Sequence, residues 1–342
     1  MLAWEARRAL PARDRPGGRV YLTRMSDQAE TRRRGRDENP AETAARDERL
    51  SSRVATELQR WLAEPLPGGL YLVATPIGNL GDITLRALAV LARCDLVCCE
   101  DTRHSRTLLA HFAIDRPLRA YHEHNADAER PRLLAMLAEG RAIALVSDAG
   151  TPLVSDPGFK LVRDCIVAGH RVTSLPGASS VMAAVSVAGL PTDQFHFAGF
   201  LPVREGQRRT RLAELGALPA TLILFEAPSR LAASLADLSD VLGANRPVAV
   251  ARELTKRFEE VRRGSAAEVA AWAAAESPRG EIVILVGPPE HRDATDAEIE
   301  AALSVLLAET SLKEAARTVA TRLGVPRSRA YEIGLSLKDA QS

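Results

Sequence analysis

Glu100-Asp101-Thr102-Arg103-His104 places two carboxylates, a hydroxyl, a guanidinium and an imidazole in five consecutive residues, just after an apolar run. Such a set can accept a proton and neutralise a developing charge. Its plainer alternative is a solvated strand end with internal ion pairs. Tyr121-His122-Glu123-His124-Asn125 is a second cluster. Its imidazoles and the Asn125 amide suit hydrogen bonding. A metal site would need a third ligand at helical spacing, and none is evident, so no metal is expected. Arg252-Glu253-Leu254-Thr255-Lys256 is a charged turn offering a carboxylate and an ammonium, or simply a salt-bridged hairpin tip. Arg204, Arg208, Arg209 and Arg211 form a basic stretch that reads either as solvated helix surface or as a phosphate-contacting patch.

Three small-residue corners accompany these groups. Pro76-Ile77-Gly78-Asn79 follows the apolar run Leu70–Thr75, with glycines where a backbone must approach a ligand and a helix start behind them. The spacing fits neither a dinucleotide fingerprint nor a Walker loop. Ser147-Asp148-Ala149-Gly150-Thr151-Pro152 follows a second apolar run, and Ser155-Asp156-Pro157-Gly158 stands close behind. An Asx-turn at a strand-to-helix corner would explain part of that composition, but so many turn residues favour a ligand. Pro176-Gly177-Ala178 opens a third corner before a helix.

The elements that must carry these corners alternate. Strand-like runs at Leu70–Thr75, Cys94–Glu100, Ala142–Ser147 and Arg171–Leu175 are separated by helix-like segments at Leu85–Ala92, Glu129–Glu139 and Lys160–Ala168. That pattern predicts a parallel sheet covered by helices, with ligands at the strand ends. After the helix Ser179–Ala188 the pattern changes. Runs at Phe195–Phe200, Thr221–Phe225, Pro247–Arg252, Phe258–Gly264 and Glu281–Gly287 predict a mixed sheet, with a hairpin about Thr255-Lys256. Two short helices, Ser311–Leu323 and Ser328–Leu337, flank Gly324-Val325-Pro326 and resemble a helix-turn-helix. The expected architecture is therefore α/β, with two α/β domains (67–189, parallel sheet; 190–289, mixed sheet) and a helical module at 290–342. Residues 1–66 lack sustained apolar periodicity and are expected to be disordered, apart from a helical stripe at Leu50, Val54, Leu58, Trp61 and Leu62. Met25 is an alternative start.

Composition narrows the class. A formal charge of +1 announces no nucleic-acid partner globally, and 4% aromatic residues argue against strand binding by base stacking as the main activity. Cys94, Cys98, Cys99 and Cys165 sit inside apolar runs without zinc spacing, and Cys98 and Cys99 should face opposite sides of one strand. No apolar stretch reaches the roughly 18 residues of a membrane span, so a soluble cytoplasmic protein is expected.

Seven strings in order, ATPIGNLGDIT, CEDTRHSRTLL, YHEHN, ALVSDAGTPLVSDPG, LPGASS, FAGFLP and ARELTKRFEEV, resemble the tetrapyrrole-methylase superfamily and, within it, the branch that modifies ribosomal RNA. The resemblance spans about Leu70 to Gly287 and the C-terminal helices. It implies S-adenosylmethionine in a cleft between two α/β domains, held by Pro76–Asn79, Ser147–Pro152 and Pro176–Ala178, with Phe225, Glu226, Gly280 and Glu281 closing over it. It also implies a homodimer that methylates the ribose 2'-hydroxyl of a cytidine in the decoding centre of 16S rRNA, within the 30S subunit. Small-molecule members carry Gly-x-Gly-x-Gly-Asp after the first strand, whereas this chain has Thr-Pro-Ile-Gly-Asn-Leu-Gly-Asp.

On that resemblance, Asp101 is the first candidate for the base that takes the hydroxyl proton, oriented by Arg103 or His104, and His122 is the second. Asn125, Arg204, Arg208, Arg209, Glu253 and Lys256 are candidate substrate contacts. A corrin- or porphyrin-ring methylase, and a non-catalytic RNA-binding assembly factor, are the alternatives.

Overall fold

A computed structural model describes residues 40–289 and 294–339. The division of the chain into compact units falls at Thr56, and everything below concerns Glu57 onward unless stated. The disorder expected over residues 1–66 does not extend to Pro40–Ala63, which forms one continuous helix, α1. Its apolar stripe contains the Leu50–Leu62 series. Residues 1–39, with Met25, lie outside the described residues.

Five parallel strands form the first sheet: β1 (Gly69–Val73), β2 (Leu96–Cys99), β3 (Leu118–Ala120), β4 (Ala142–Val146) and β5 (Val172–Leu175), in the order β3-β2-β4-β1-β5. Every residue of β2 and β4 is buried. Such strands must be covered on both faces, and helices α2 (Leu85–Arg93), α3 (Thr102–His111), α4 (Ala126–Ala138) and α5 (Phe159–Val167) connect them. Cys99 packs with Tyr71, Leu91 and Val97 on one face, while Cys98 packs with Leu70, Leu133 and Leu161 on the other. Burial pushes the Cys94 and Cys165 thiols up to about 11, which makes them inert.

Helix α6 (Ser180–Ala188) leads to the second sheet, β6 (Phe195–Phe200), β7 (Thr221–Glu226), β8 (Pro247–Arg252), β9 (Glu260–Ser265) and β10 (Ile282–Val286), in the order β6-β7-β10-β8-β9. Only β6–β7 is parallel, so this sheet is mixed, and β8–β9 is the expected hairpin. One face packs under α7 (Glu205–Gly216), α8 (Leu231–Leu242) and α9 (Ala266–Glu276), through residues such as Leu212, Leu235 and Trp272. The other face, with Ile223, Ala249, Ala251, Val283 and Leu285, packs against Val181 and Val185 of α6 and against Ile77 from the first sheet's leading corner. Each large aliphatic side chain buried there contributes about 1.5–3 kcal/mol. That shared cluster seats the two sheets' corners against one another.

Helices α10 (Asp296–Leu307), α11 (Leu312–Leu323) and α12 (Arg327–Asp339) build a separate small core around Ile299, Leu303, Ala316 and Val319. Thr295 and Glu298 close a capping box at its entry. Among the described residues, no helix is long and apolar enough to cross a membrane.

Candidate functional site

The corners at the carboxyl ends of the first sheet's strands are tied together by hydrogen bonds. Thr75 and Gly150 exchange backbone bonds of 2.9 and 3.0 Å. The Thr75 hydroxyl donates to Ser147 O at 3.1 Å, and the Ser147 hydroxyl donates to Gly150 O at 3.0 Å. Thr151 Oγ1 donates to Ala178 O at 3.1 Å, joining the third corner. Asp148 Oδ1 accepts the Asp101 N–H at 3.1 Å, joining the end of β2. Gly150 lies at φ +84°, a left-handed conformation in which a side chain would also crowd Ile77.

Two cavities flank this rim. The first, about 390 Å³, lies between the sheets and is lined by Ile77, Ala149 and Ser180 from one side and by Phe225, Glu226, Ala251, Leu254, Glu281 and Val283 from the other. Its size and largely apolar wall suit a small organic ligand with a flat apolar part. Phe225 stands edge-on to both Phe197 and Phe200, with ring centroids 4.9 and 5.5 Å apart. Glu226 is buried, with its carboxylate held by Ser234 Oγ at 2.5 Å, Ala227 N at 2.8 Å and Arg230 at 2.6 Å. Lys256 binds Glu253 at 2.9 Å and Glu281 at 3.2 Å, and its stem lies across Gly78, where a β-carbon would overlap it. Burial works against the Lys256 ammonium, but its bonds to Glu253 and Glu281 outweigh this, so its pKa is raised.

Of the expected donor-site residues, Ile77, Ala149, Phe225, Glu226 and Glu281 line this cavity, and Ser180 joins them just beyond Pro176-Gly177-Ala178. Asn79 instead caps its own turn, accepting the Gly81 N–H at 3.0 Å. Ser147, Gly150 and Thr151 are engaged in the rim bonds given above, and Pro152 is buried beside them. Filling the cavity tests its role. If the cavity holds the S-adenosylmethionine that the resemblance implies, Ala149→Phe should weaken its binding about 10- to 100-fold, the cost expected for overpacking, as read by titration calorimetry.

The second cavity, about 470 Å³, is lined by Glu100, His122, Glu123, His124, Ser155, Asp156 and Pro157. Asp148, whose neighbour Ala149 lines the first cavity, contributes its charge here. Burial, reinforced by Glu100 and Asp148, pushes the Asp156 carboxyl up to about 6, against a hydrogen bond from Ser147. Leu153 and Ser155, at φ +73° and +64°, are non-glycine residues in left-handed backbone just before it, a conformation that persists only where the surroundings over-determine it. His122 Nδ1 is buried without a hydrogen-bond partner.

The expected clusters fare differently. Asp101 caps α3, accepting the Arg103 N–H at 2.8 Å, and its two oxygens also take Arg103 Nε at 3.1 Å and Nη2 at 2.7 Å. Those Arg103 bonds hold its carboxyl at about 2, well below the usual range, so it is a weak base. His104 is exposed on the same helix. Asn125 uses both ends of its amide locally, accepting from His122 N and donating to Ala120 O, each at 2.8 Å. Arg208 requires correction as a phosphate contact. It is buried, 6% exposed, in a salt bridge to Asp237 at 2.6 Å, because its position on α7 faces α8. Arg209 is half-buried and pairs with Asp237 and Asp240. Arg204 and Arg211 remain exposed. Asp156 was legible only as part of a turn-rich string; its charged neighbours come from other strands.

The sequence profile of the tetrapyrrole (corrin/porphyrin) methylases matches residues 69–270, which include the whole first sheet and all of the second except β10. The chain belongs to this family. A second profile, described as the RsmI C-terminal HTH domain, matches residues 293–338. Among tetrapyrrole methylases, the chain is 53% identical to the ribosomal RNA small subunit methyltransferase I of Mesorhizobium japonicum, over 81% of this chain and 95% of that one. Proteins of the same name from Pseudomonas aeruginosa and Escherichia coli O157:H7 are 49% and 46% identical, over 78% and 81% of this chain and 97% and 98% of theirs. The fold is also that of diphthine synthase, with a TM-score of 0.52 at 14% identity, covering 64% of this chain and 89% of that one. The methyltransferase CobJ is similar at a TM-score of 0.50 and 20% identity, over 67% of this chain and 97% of that one.

Proposed function

We propose that this methylase transfers a methyl group from S-adenosylmethionine to the ribose 2'-hydroxyl of a cytidine in the decoding centre of 16S rRNA, within the 30S subunit, acting as a cytoplasmic homodimer. The observation that carries the reading is the rim at Asp148-Ala149. Ala149 lines the apolar cavity and the charge of its neighbour Asp148 acts on Asp156 in the acidic one, which brings a donor site and an acceptor site to two consecutive residues. The relatives' names supply RNA as the acceptor class, and the C-terminal helices and altered first turn favour it over a ring substrate.

When bound, the donor supplies a methyl group already activated on a sulfonium. Ile77, Ala149, Phe225 and Leu254 would hold its flat apolar part, with Glu281 offering a carboxylate at the wall, while the Glu226 carboxylate is engaged by Ser234, Ala227 and Arg230 behind it. Much of the acceleration then comes from alignment. A ribose hydroxyl is a poor nucleophile, so a base must take its proton. Asp101, saturated by Arg103, is the weaker choice. Asp156 is the stronger one, with His122 beside it in the same cavity. Exposed Arg204 is the favoured phosphate contact of the reading, since Lys256 is paired with Glu253 and Glu281 and Arg103 with Asp101.

The test is the chemical identity of the product. Nucleosides from 30S rRNA treated with the protein and donor should contain added 2'-O-methylcytidine by mass spectrometry. A methyl group found on a base instead would refute the ribose assignment.

A further inference from the structure

The β8–β9 hairpin ends in two successive tight turns. Lys256 N donates to Glu253 O at 3.0 Å, and Glu259 N donates to Lys256 O at 3.1 Å. The first turn is anchored. Leu254 is buried with Ile77 in the cluster between the sheets and also lines the donor cavity. Lys256 is fastened to Glu253 and Glu281, and Thr255 N donates to Glu259 Oε2 at 2.6 Å. Glu253 and Thr255 hold left-handed backbone at φ +50° and +66°, which persists only where surroundings over-determine it.

The second turn shows the opposite. Its two central positions are Arg257 and Phe258, and Phe258 is 66% exposed. The Arg257 guanidinium carbon lies 5.6 Å from the Phe258 ring centroid. Among the described residues no carboxylate is paired with Arg257. A single exposed aromatic is ordinary. Here, however, it stands on a strained and anchored tip four residues from Leu254, which lines the donor cavity, and beside an unpaired cation. That combination fits an unstacked nucleobase with its phosphate, since every base offers a π-face and every phosphate a negative charge.

We propose that Phe258 and Arg257 form a stacking platform that grips an unpaired base of the RNA acceptor next to the methylated nucleotide, a role that rests on the RNA reading above. The anchored first turn ties the platform to the cavity wall through Leu254, so a stacked base registers the strand against the donor. Arg257 meets the adjoining phosphate.

Binding to 30S subunits, measured apart from turnover, tests this. Phe258→Ala should weaken binding and raise KM for the subunit about 10- to 100-fold, the range seen when a stacking aromatic is truncated. Donor affinity should stay unchanged. Phe258→Trp should retain binding, whereas Phe258→Leu, apolar but unable to stack, should not. Unchanged binding in Phe258→Ala would overturn the proposal. So would a Phe258→Ala variant that sediments as a smaller species, because the ring would then belong to a contact between copies. Wild-type protein that binds subunits through Phe258 without methylating them would sink the methylation reading and leave the platform standing. Wild-type protein that binds no RNA would overturn both.

Discussion

Asp156→Asn should lower the methylation rate by about 10²- to 10⁴-fold, the usual worth of a positioned general base, while making the protein more stable at neutral pH. Both effects share one cause. Burial and the neighbouring Glu100 and Asp148 charges raise the carboxyl to about 6, from an ordinary 3.8. Between those values the folded chain binds the proton more tightly than the unfolded chain. The resulting contribution to stability is fully present below about pH 4 and is lost as pH rises through 6. Above pH 6 the charged carboxylate therefore opposes folding. An amide removes that penalty, for a gain on the order of 1 kcal/mol once solvent screening is allowed for. Denaturation at pH 8 should show the gain, and at pH 4 the two proteins should match. The wild-type rate should fall below pH 6, and that limb should vanish from the residual activity of the variant. Equal rates for the two proteins at pH 8 would return the role to His122 or Asp101.

Arg208→Ala should destabilise the protein by about 3–5 kcal/mol, because it strands a buried carboxylate. Arg208 and Asp237 are each 8% exposed at the side chain and lie 2.6 Å apart. Arg208 Nη1 also donates to Val203 O at 3.1 Å, so truncation frees a carbonyl as well. Arg209 still reaches Asp237, which holds the loss toward the lower end. Replacing both members of the pair, as Arg208→Met with Asp237→Leu, should recover most of the stability. Arg204→Ala, by contrast, should leave stability within about 0.5 kcal/mol, as for an ordinary surface change. Urea denaturation separates these outcomes. A stable Arg208→Ala variant with weakened RNA binding would restore Arg208 to the substrate surface.

The contrast between Arg204 and Arg208 marks where reading the sequence stops. The long apolar runs identify themselves, since strands such as Ala142–Val146 are buried on both faces and need no alternation. Cys98 and Cys99 could be assigned to opposite faces because a strand has a period of two. The β8–β9 hairpin was visible from two runs close together. Helix α3 was hidden because its first turn is the charged cluster itself, and its apolar stripe is thin. The three-residue strand β3 is too short to show a pattern. Four arginines in a row of eight residues look alike in one dimension, yet α7 turns one of them into the core. Similarly, Asp101 looks like an acid beside a base, but Arg103 two residues on closes over both its oxygens. Asp156 owes its basicity to burial and then to Glu100 and Asp148, which are brought to it from the ends of β2 and β4. Local spacing carries the corners, and only the strand order carries the cluster.

The central claim is that the cavity behind Ile77 and Ala149 serves methyl transfer to ribosomal RNA. Labelled S-adenosylmethionine, offered together with 30S subunits, naked 16S rRNA and a tetrapyrrole, tests it most directly. Label should enter the subunit's RNA at one cytidine ribose and, at limiting donor, fall about 10- to 100-fold in Ala149→Phe. Label appearing only in the tetrapyrrole, or undiminished transfer by Ala149→Phe, would contradict the account.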